Sequence, residues 1–139
     1  MHDHRPKHIV NVHAHHVRSR DFEEHVEEWT RDGATLTCVL CLPREWQEAG
    51  GDYFGNSDLQ PWLSRYSDRI IGMAAVEVAG RVDGADAVKQ RYDEGFRGLK
   101  MIAPEAPYDD PRYYAVYEAA QALNMPILFH TGYVGGRPG

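Results

Sequence analysis

Cysteine is scarce in this chain, with two in 139 residues, so no disulfide framework stands in for a hydrophobic core. Cys38 and Cys41 have C-x-x-C spacing but lie inside TLTCVLCL (35–42), a strand-like run in which residues three apart face opposite ways. A redox C-x-x-C opens a helix, whose dipole lowers a thiol pKa. Both thiols are therefore expected in the core. Positive charge is also in short supply: 15 Lys and Arg against 21 acidic residues give a net charge of −6. Without a basic block, no nucleic-acid partner is expected. No apolar run approaches the roughly 18–20 residues of a membrane span. The polar HDHRPKH after Met1 lacks the apolar core of a signal peptide. The expectation is no membrane partner and a cytoplasmic location. Low-complexity tracts and solenoid-length repeats are missing too.

What is present is alternation. Strand-like apolar runs fall at 8–13, 35–42, 69–76, 96–102 and 126–131, and their near-continuous character predicts a parallel sheet covered on both faces. Four helical patterns separate them. The first is capped by Asp21, with Glu24 three residues on, carries Phe22, Val26 and Trp29, and stops at Gly33. The second opens at Asn56 or Ser57 and presents Leu59, Trp62, Leu63 and Tyr66. The third spans 83–94 with Ala85, Val88 and Tyr92, and stops at Gly95. The fourth has Asp110 as cap, Pro111 first, then Val116, Ala119, Ala120 and Leu123, ended by Asn124 and Pro126. Such alternation predicts right-handed βαβ units in one domain over 8–139, behind a flexible segment over 1–7. The longest connection, 43–55, leaves the second strand at the end where a barrel keeps its active site. A substrate loop and a plain surface loop both fit it.

Chemistry concentrates in the histidines. Residues 8–16 read HIVNVHAHH, and along a strand His13 and His15 project from one side. Two imidazoles so placed can share a divalent metal, and a catalytic zinc usually takes three protein ligands. MPILFHTG (125–132) puts His130 at the end of the fifth strand, where it is either the third ligand or an ordinary satisfied histidine.

Residues 8–16, GFRGLKMI (95–102) and PILFHTG (126–132) together resemble the amidohydrolase superfamily. The match is to its amidohydrolase-related branch of metal-dependent hydrolases and non-oxidative decarboxylases, over nearly the whole chain. The resemblance implies an α/β fold, a partial (β/α)8 TIM barrel of about five parallel strands and four helices. Strands six to eight are absent, since a closed barrel needs about 200–250 residues. It implies one divalent metal, zinc first, held by His13, His15 and His130. It implies metal-assisted hydrolysis of an amide, ester or lactone in a small organic substrate, with decarboxylation as the alternative. The family's catalytic aspartate follows an eighth strand and has no counterpart here. A third possibility is a non-catalytic partial barrel that works by pairing with a second copy or a complementing chain.

Several residues carry open roles. Lys100 matches a lysine that is carbamylated in two-metal relatives; it can also bind a substrate carboxylate or pair at the rim, with Gly98 leaving it room. Asn11, where many relatives have Asp, is placed to support His13. Glu77 is an outer acid or a solvated rim residue, and Tyr133 is a candidate cover for the substrate. His16 faces away from His15 and is not expected to bind metal. His2 and His4 sit in a polar terminus, while His8 and His25 default to surface or structural roles. A phosphoesterase-type relative ranks lower, since no Gly-x-His-Pro follows the third strand and no phosphate loop is visible.

Overall fold

The apolar runs pair in chain order. A computed structural model describes residues 7–134 and 137–138. In it β1 (Val10–Ala14), β2 (Leu36–Leu40), β3 (Ile70–Ala75), β4 (Gly98–Met101) and β5 (Ile127–Phe129) form one sheet in the order β1-β2-β3-β4-β5. All neighbours are parallel, and the sheet curls into a half-barrel. The segment 1–6, with His2 and His4, lies outside the described residues. Among the described residues no helix is long and apolar enough to cross a membrane.

The helices are α1 (Phe22–Arg31), α2 (Arg44–Glu48), α3 (Asn56–Leu63), α4 (Ala85–Asp93) and α5 (Tyr114–Ala122), the last entered through a 3₁₀ turn, Pro111–Tyr113. Asp21 Oδ1 accepts the Glu24 N–H at 2.8 Å, the cap anticipated for α1. Asp110 accepts the Arg112 N–H at 2.9 Å. Gly33 and Gly95 adopt left-handed φ values of +98° and +103° and stop α1 and α4, a conformation glycine takes without steric cost.

Three local features were not specified by the sequence pattern. The connection 43–55 contains α2. The helix expected over 83–94 starts at Ala85, and the Asp83 carboxylate turns back to accept the Glu77 N–H at 3.0 Å. The second helix opens at Asn56 as expected, with Asp58 accepting the Gly55 N–H at 2.8 Å. The Asn56 amide reaches across to β3, accepting from Ala75 N at 2.7 Å and donating to Ala75 O at 3.0 Å. It acts there as a one-residue piece of strand.

Each strand divides its residues between two faces. Val39 and Cys41, Ala74 and Val76, Leu99 and Met101 join Phe22, Val26, Leu59, Val88 and Val116 in the helix-side core. Leu40, Met73 and Lys100 alternate with these on the concave side. Cys41 is fully buried in the core, whereas Cys38 points the other way and is only half-buried. Strand alternation thus corrects its expected burial. The prospect of a sheet covered on both faces holds for β3 and β4, almost all of whose residues are buried, and fails at the outer strands. Ile9, Val10 and Val12 are 44%, 49% and 57% exposed at the β1 edge, and Phe129 is 40% exposed beside β5. Among the described residues no strand pairs with either outer edge.

Replacing Asn56 with Ala strands both backbone groups of Ala75 in the interior. The expected cost is about 1–3 kcal/mol, read from urea unfolding midpoints. An unchanged midpoint would show that the amide bridge contributes nothing.

Candidate functional site

His13 and His15 meet at the C-terminal end of β1. Their Nε2 atoms stand 3.1 Å apart, with ring centroids at 5.0 Å in an edge-to-face arrangement. Simple alternation does not produce this meeting, because the β1–β2 register slips between Asn11 and Ala14. Such a bulge inserts a residue and re-aims the side chains around it. Asn11 braces that irregular segment: its Oδ1 accepts the His13 backbone N–H at 3.2 Å. Its support therefore goes to the main chain and not to an imidazole.

His15 is oriented from β2. Its Nδ1 lies 3.1 Å from the Leu40 carbonyl oxygen, which can only accept, so Nδ1 carries the proton. The neutral ring then offers its lone pair at Nε2, towards His13. Burial lowers the pKa of both imidazoles, and Lys100 and His130 lower it further; for His15, His13 adds to the effect. Both rings are thus biased to the neutral form, the one that can donate a lone pair.

Lys100 and His130 complete the neighbourhood. Lys100 is fully buried, its Nζ has no hydrogen-bond partner, and burial lowers its pKa. The room at Gly98 is not taken by the lysine, because a Cβ added there would meet Met73 Sδ at 2.2 Å; Met73 fills it. His130 follows β5, where its N–H donates to Met101 O at 2.9 Å and its carbonyl accepts from the Tyr108 hydroxyl at 2.8 Å. Its main chain is thereby fixed, while its Nε2 is buried without a partner. Among the described residues no group of three or more His, Cys, Asp or Glu is gathered tightly enough to hold a metal. The structure brings His13 and His15 together and leaves His130 nearby.

The other candidates fall elsewhere. Glu77 Oε1 accepts the Arg44 N–H at 2.9 Å, and burial raises its pKa. It anchors the start of α2 in an outer cleft of about 300 Å³ shared with Asp83 and Arg91. Tyr133 is 78% exposed and lies in β6 (Tyr133–Val134), which pairs antiparallel with β7 (Arg137–Pro138). His8 is exposed.

His16 and His25 form a pair that spacing did not reveal. His16 Nε2–H donates to Arg20 O at 3.0 Å, so its Nδ1 accepts from His25 Nδ1–H at 2.8 Å. Burial holds both pKa values down.

 The His16 carbonyl accepts the Phe54 N–H at 2.9 Å, which ties the β1 exit to the end of the 43–55 connection. That connection also brings Tyr53 against His15, with ring centroids at 5.7 Å. The only sequence signal for Tyr53 was its place in the longest loop on the active-end side of the sheet.

No protein-family model matches the chain, and no curated protein matches it. Solved structures do. Amidohydrolase II aligns with a TM-score of 0.66 at 15% identity, over 88% of this chain and 50% of that one. A 5-carboxyvanillate decarboxylase from Novosphingobium aromaticivorans, solved with bound manganese and 3-methoxy-4-hydroxy-5-nitrobenzoic acid, aligns with a TM-score of 0.62 at 18% identity, over 82% of this chain and 36% of that one. A TIM-barrel protein from Bordetella bronchiseptica gives 0.58 at 16% identity, over 86% and 42%. These likenesses show a shared fold, a partial (β/α)8 barrel. The chain spans half or less of the length of each of these three proteins.

A buried ammonium without a partner is a liability, since its desolvation goes uncompensated. Lys100→Met keeps the shape of the side chain and removes the charge. The variant is expected to be more stable by about 1–3 kcal/mol in urea unfolding; a loss of stability would show that Lys100 has a compensating contact.

Proposed function

We propose that this chain carries the first five strands of an amidohydrolase-related barrel. In this role His13, His15 and His130 hold one divalent metal ion, zinc by preference, for hydrolysis of an amide, ester or lactone bond in a small organic substrate. The observation that carries the proposal is the 3.1 Å separation of the His13 and His15 Nε2 atoms. Two nitrogens bound to one tetrahedral zinc at about 2.0–2.1 Å stand roughly 3.3 Å apart, so the pair fits a shared ion. The Leu40 carbonyl on His15 Nδ1 is the kind of outer contact that orients metal-bound imidazoles. The buried, unpartnered Nε2 of His130 is a free donor for the third position.

A divalent ion bound there supplies a Lewis acid, polarising a carbonyl and lowering the pKa of bound water toward ~7. The chain's own residues orient and bind. Leu40 fixes the tautomer of His15, Asn11 holds the main chain at His13, and the Met101 and Tyr108 contacts hold His130. Lys100 offers a buried ammonium to a substrate carboxylate, a charge-assisted bond stronger than a neutral one. That amine also favours the second chemistry, decarboxylation of a carboxylated substrate. In the family that the sequence resembles, the residue that moves the proton follows an eighth strand. The free thiols of Cys38 and Cys41 suit a reducing compartment such as the cytoplasm.

Zinc titrated into the chelator-treated chain is expected to bind at one equivalent by calorimetry. His13→Ala combined with His130→Ala should abolish that binding, while His2→Ala with His4→Ala should leave it in place. Equal zinc uptake by the wild type and the His13/His130 variant would overturn the assignment.

A second proposal, assembly with another chain, has its own support in the exposed apolar edges at Ile9, Val10, Val12 and Phe129. Unpaired strand edges invite pairing. Light scattering is expected to show concentration-dependent association, and a monodisperse monomer across the range would count against it.

A further inference from the structure

The 43–55 connection borders an open, apolar pocket of about 390 Å³, lined by Leu42, Trp46, Gln47, Ala49, Gly50, Gly51 and Tyr53. We infer that this pocket receives the aromatic body of the substrate handled at His13 and His15, and that Trp46 and Tyr53 determine specificity; the assignment rests on the proposed metal site.

Position supports it first. Tyr53 is shared between the pocket and the histidine pair, its ring edge-to-face with His15 at 5.7 Å. Leu42 lies two residues beyond Leu40, whose carbonyl orients His15, so strand and pocket wall run on continuously. Tyr53 is thus the side chain that the pocket and His15 have in common.

Chemistry selects the occupant. The lining has no carboxylate, ammonium or guanidinium. Its one side-chain amide is already engaged, since Gln47 Nε2 donates to Asp58 Oδ2 at 3.0 Å and to Tyr53 O at 3.2 Å. Beyond the Tyr53 hydroxyl and the Trp46 indole N–H, the side chains here offer an ionic group nothing in exchange for the water it would lose. An aromatic ring meets the faces and edges of Trp46 and Tyr53 instead, contacts that favour offset or edge-to-face packing. The volume lies in the range of small-molecule sites.

The walls are built in place. A Cβ on Gly51 would strike the Trp46 carbonyl oxygen at 2.6 Å, so the loop closes tightly on α2 only with glycine there. An isolated bridge pairs Tyr53 with Val17, and Arg18 N–H donates to Asp52 O at 2.7 Å. The pocket is thus fastened to the same segment that carries the histidines.

The test uses the whole chain and two probes. In the first arm, 4-fluorobenzyl alcohol is titrated into the metal-free chain and followed by ¹⁹F NMR. Saturable binding is expected, weakened about tenfold or more by Trp46→Ala and by Ala49→Trp, which fills the pocket from an exposed position. His13→Ala should leave it unchanged. Circular dichroism confirms that each variant is folded. In the second arm, the zinc-loaded chain is expected to bind benzoate about tenfold more tightly than acetate, with the difference erased by Trp46→Ala. Binding of the alcohol that ignores both pocket variants, or no saturable binding at all, overturns the pocket. Equal binding of benzoate and acetate to the zinc-loaded chain overturns its role in substrate choice. If zinc fails to bind while the alcohol still occupies the pocket in a Trp46-dependent way, the metal site falls and the pocket stands.

Discussion

With its strands in chain order and each crossover right-handed, this parallel sheet carries its helices on one face, and the rest of the structure depends on that constraint. The helix-side face takes the apolar residues of β2, β3 and β4 together with the inward stripes of the helices. The concave side must accommodate whatever alternation places opposite them. Leu40 and Met73 are ordinary occupants, but Lys100 is not, because its ammonium is buried there without a partner. Burial of a charge without compensation weakens a fold.

The same constraint explains how the histidines come together. Strand ends on the concave side converge as the sheet curls, which brings Lys100 and His130 close enough to depress the pKa values of His13 and His15. Curl alone does not set the 3.1 Å contact. That depends on the slipped register after Asn11 and on the Leu40 carbonyl reaching His15 from the neighbouring strand. The metal proposal and the aromatic pocket share this anchor. Both lean on residues 15–18, which the 43–55 connection grips through Phe54, Tyr53 and Asp52.

Some of this was legible in the residues. Asp21, Gly33, Gly95 and Asp110 punctuate the helices where their local chemistry places them, and those interactions span only a few positions. Four of the five strands likewise fall within their apolar runs, and β1 extends one residue past its run, to Ala14. Asn56 does open α3 as its sequence suggests, but the side-chain partners of Asn56 and Asp83 were not legible, because a polar residue beside a helix start has a choice of partners. The winning partners, Ala75 and Glu77, come from another part of the chain for Asn56 and from the preceding turn for Asp83. His16 and His25 looked unrelated for the same reason: nine residues apart, they meet only because α1 folds back beside the β1 exit.

The sequence by itself determined the succession of strands and helices and the positions of His13, His15 and His130 near strand ends. Hydrophobic period and capping are local, so they can be read locally. Only the tertiary structure decided that His13 and His15 touch while His130 stays apart, that Lys100 is buried without a partner, and that a loop forms a pocket beside His15. Each of these outcomes depends on the register between strands and on contacts between residues far apart in the chain, and those distances do not exist until the sheet has curled.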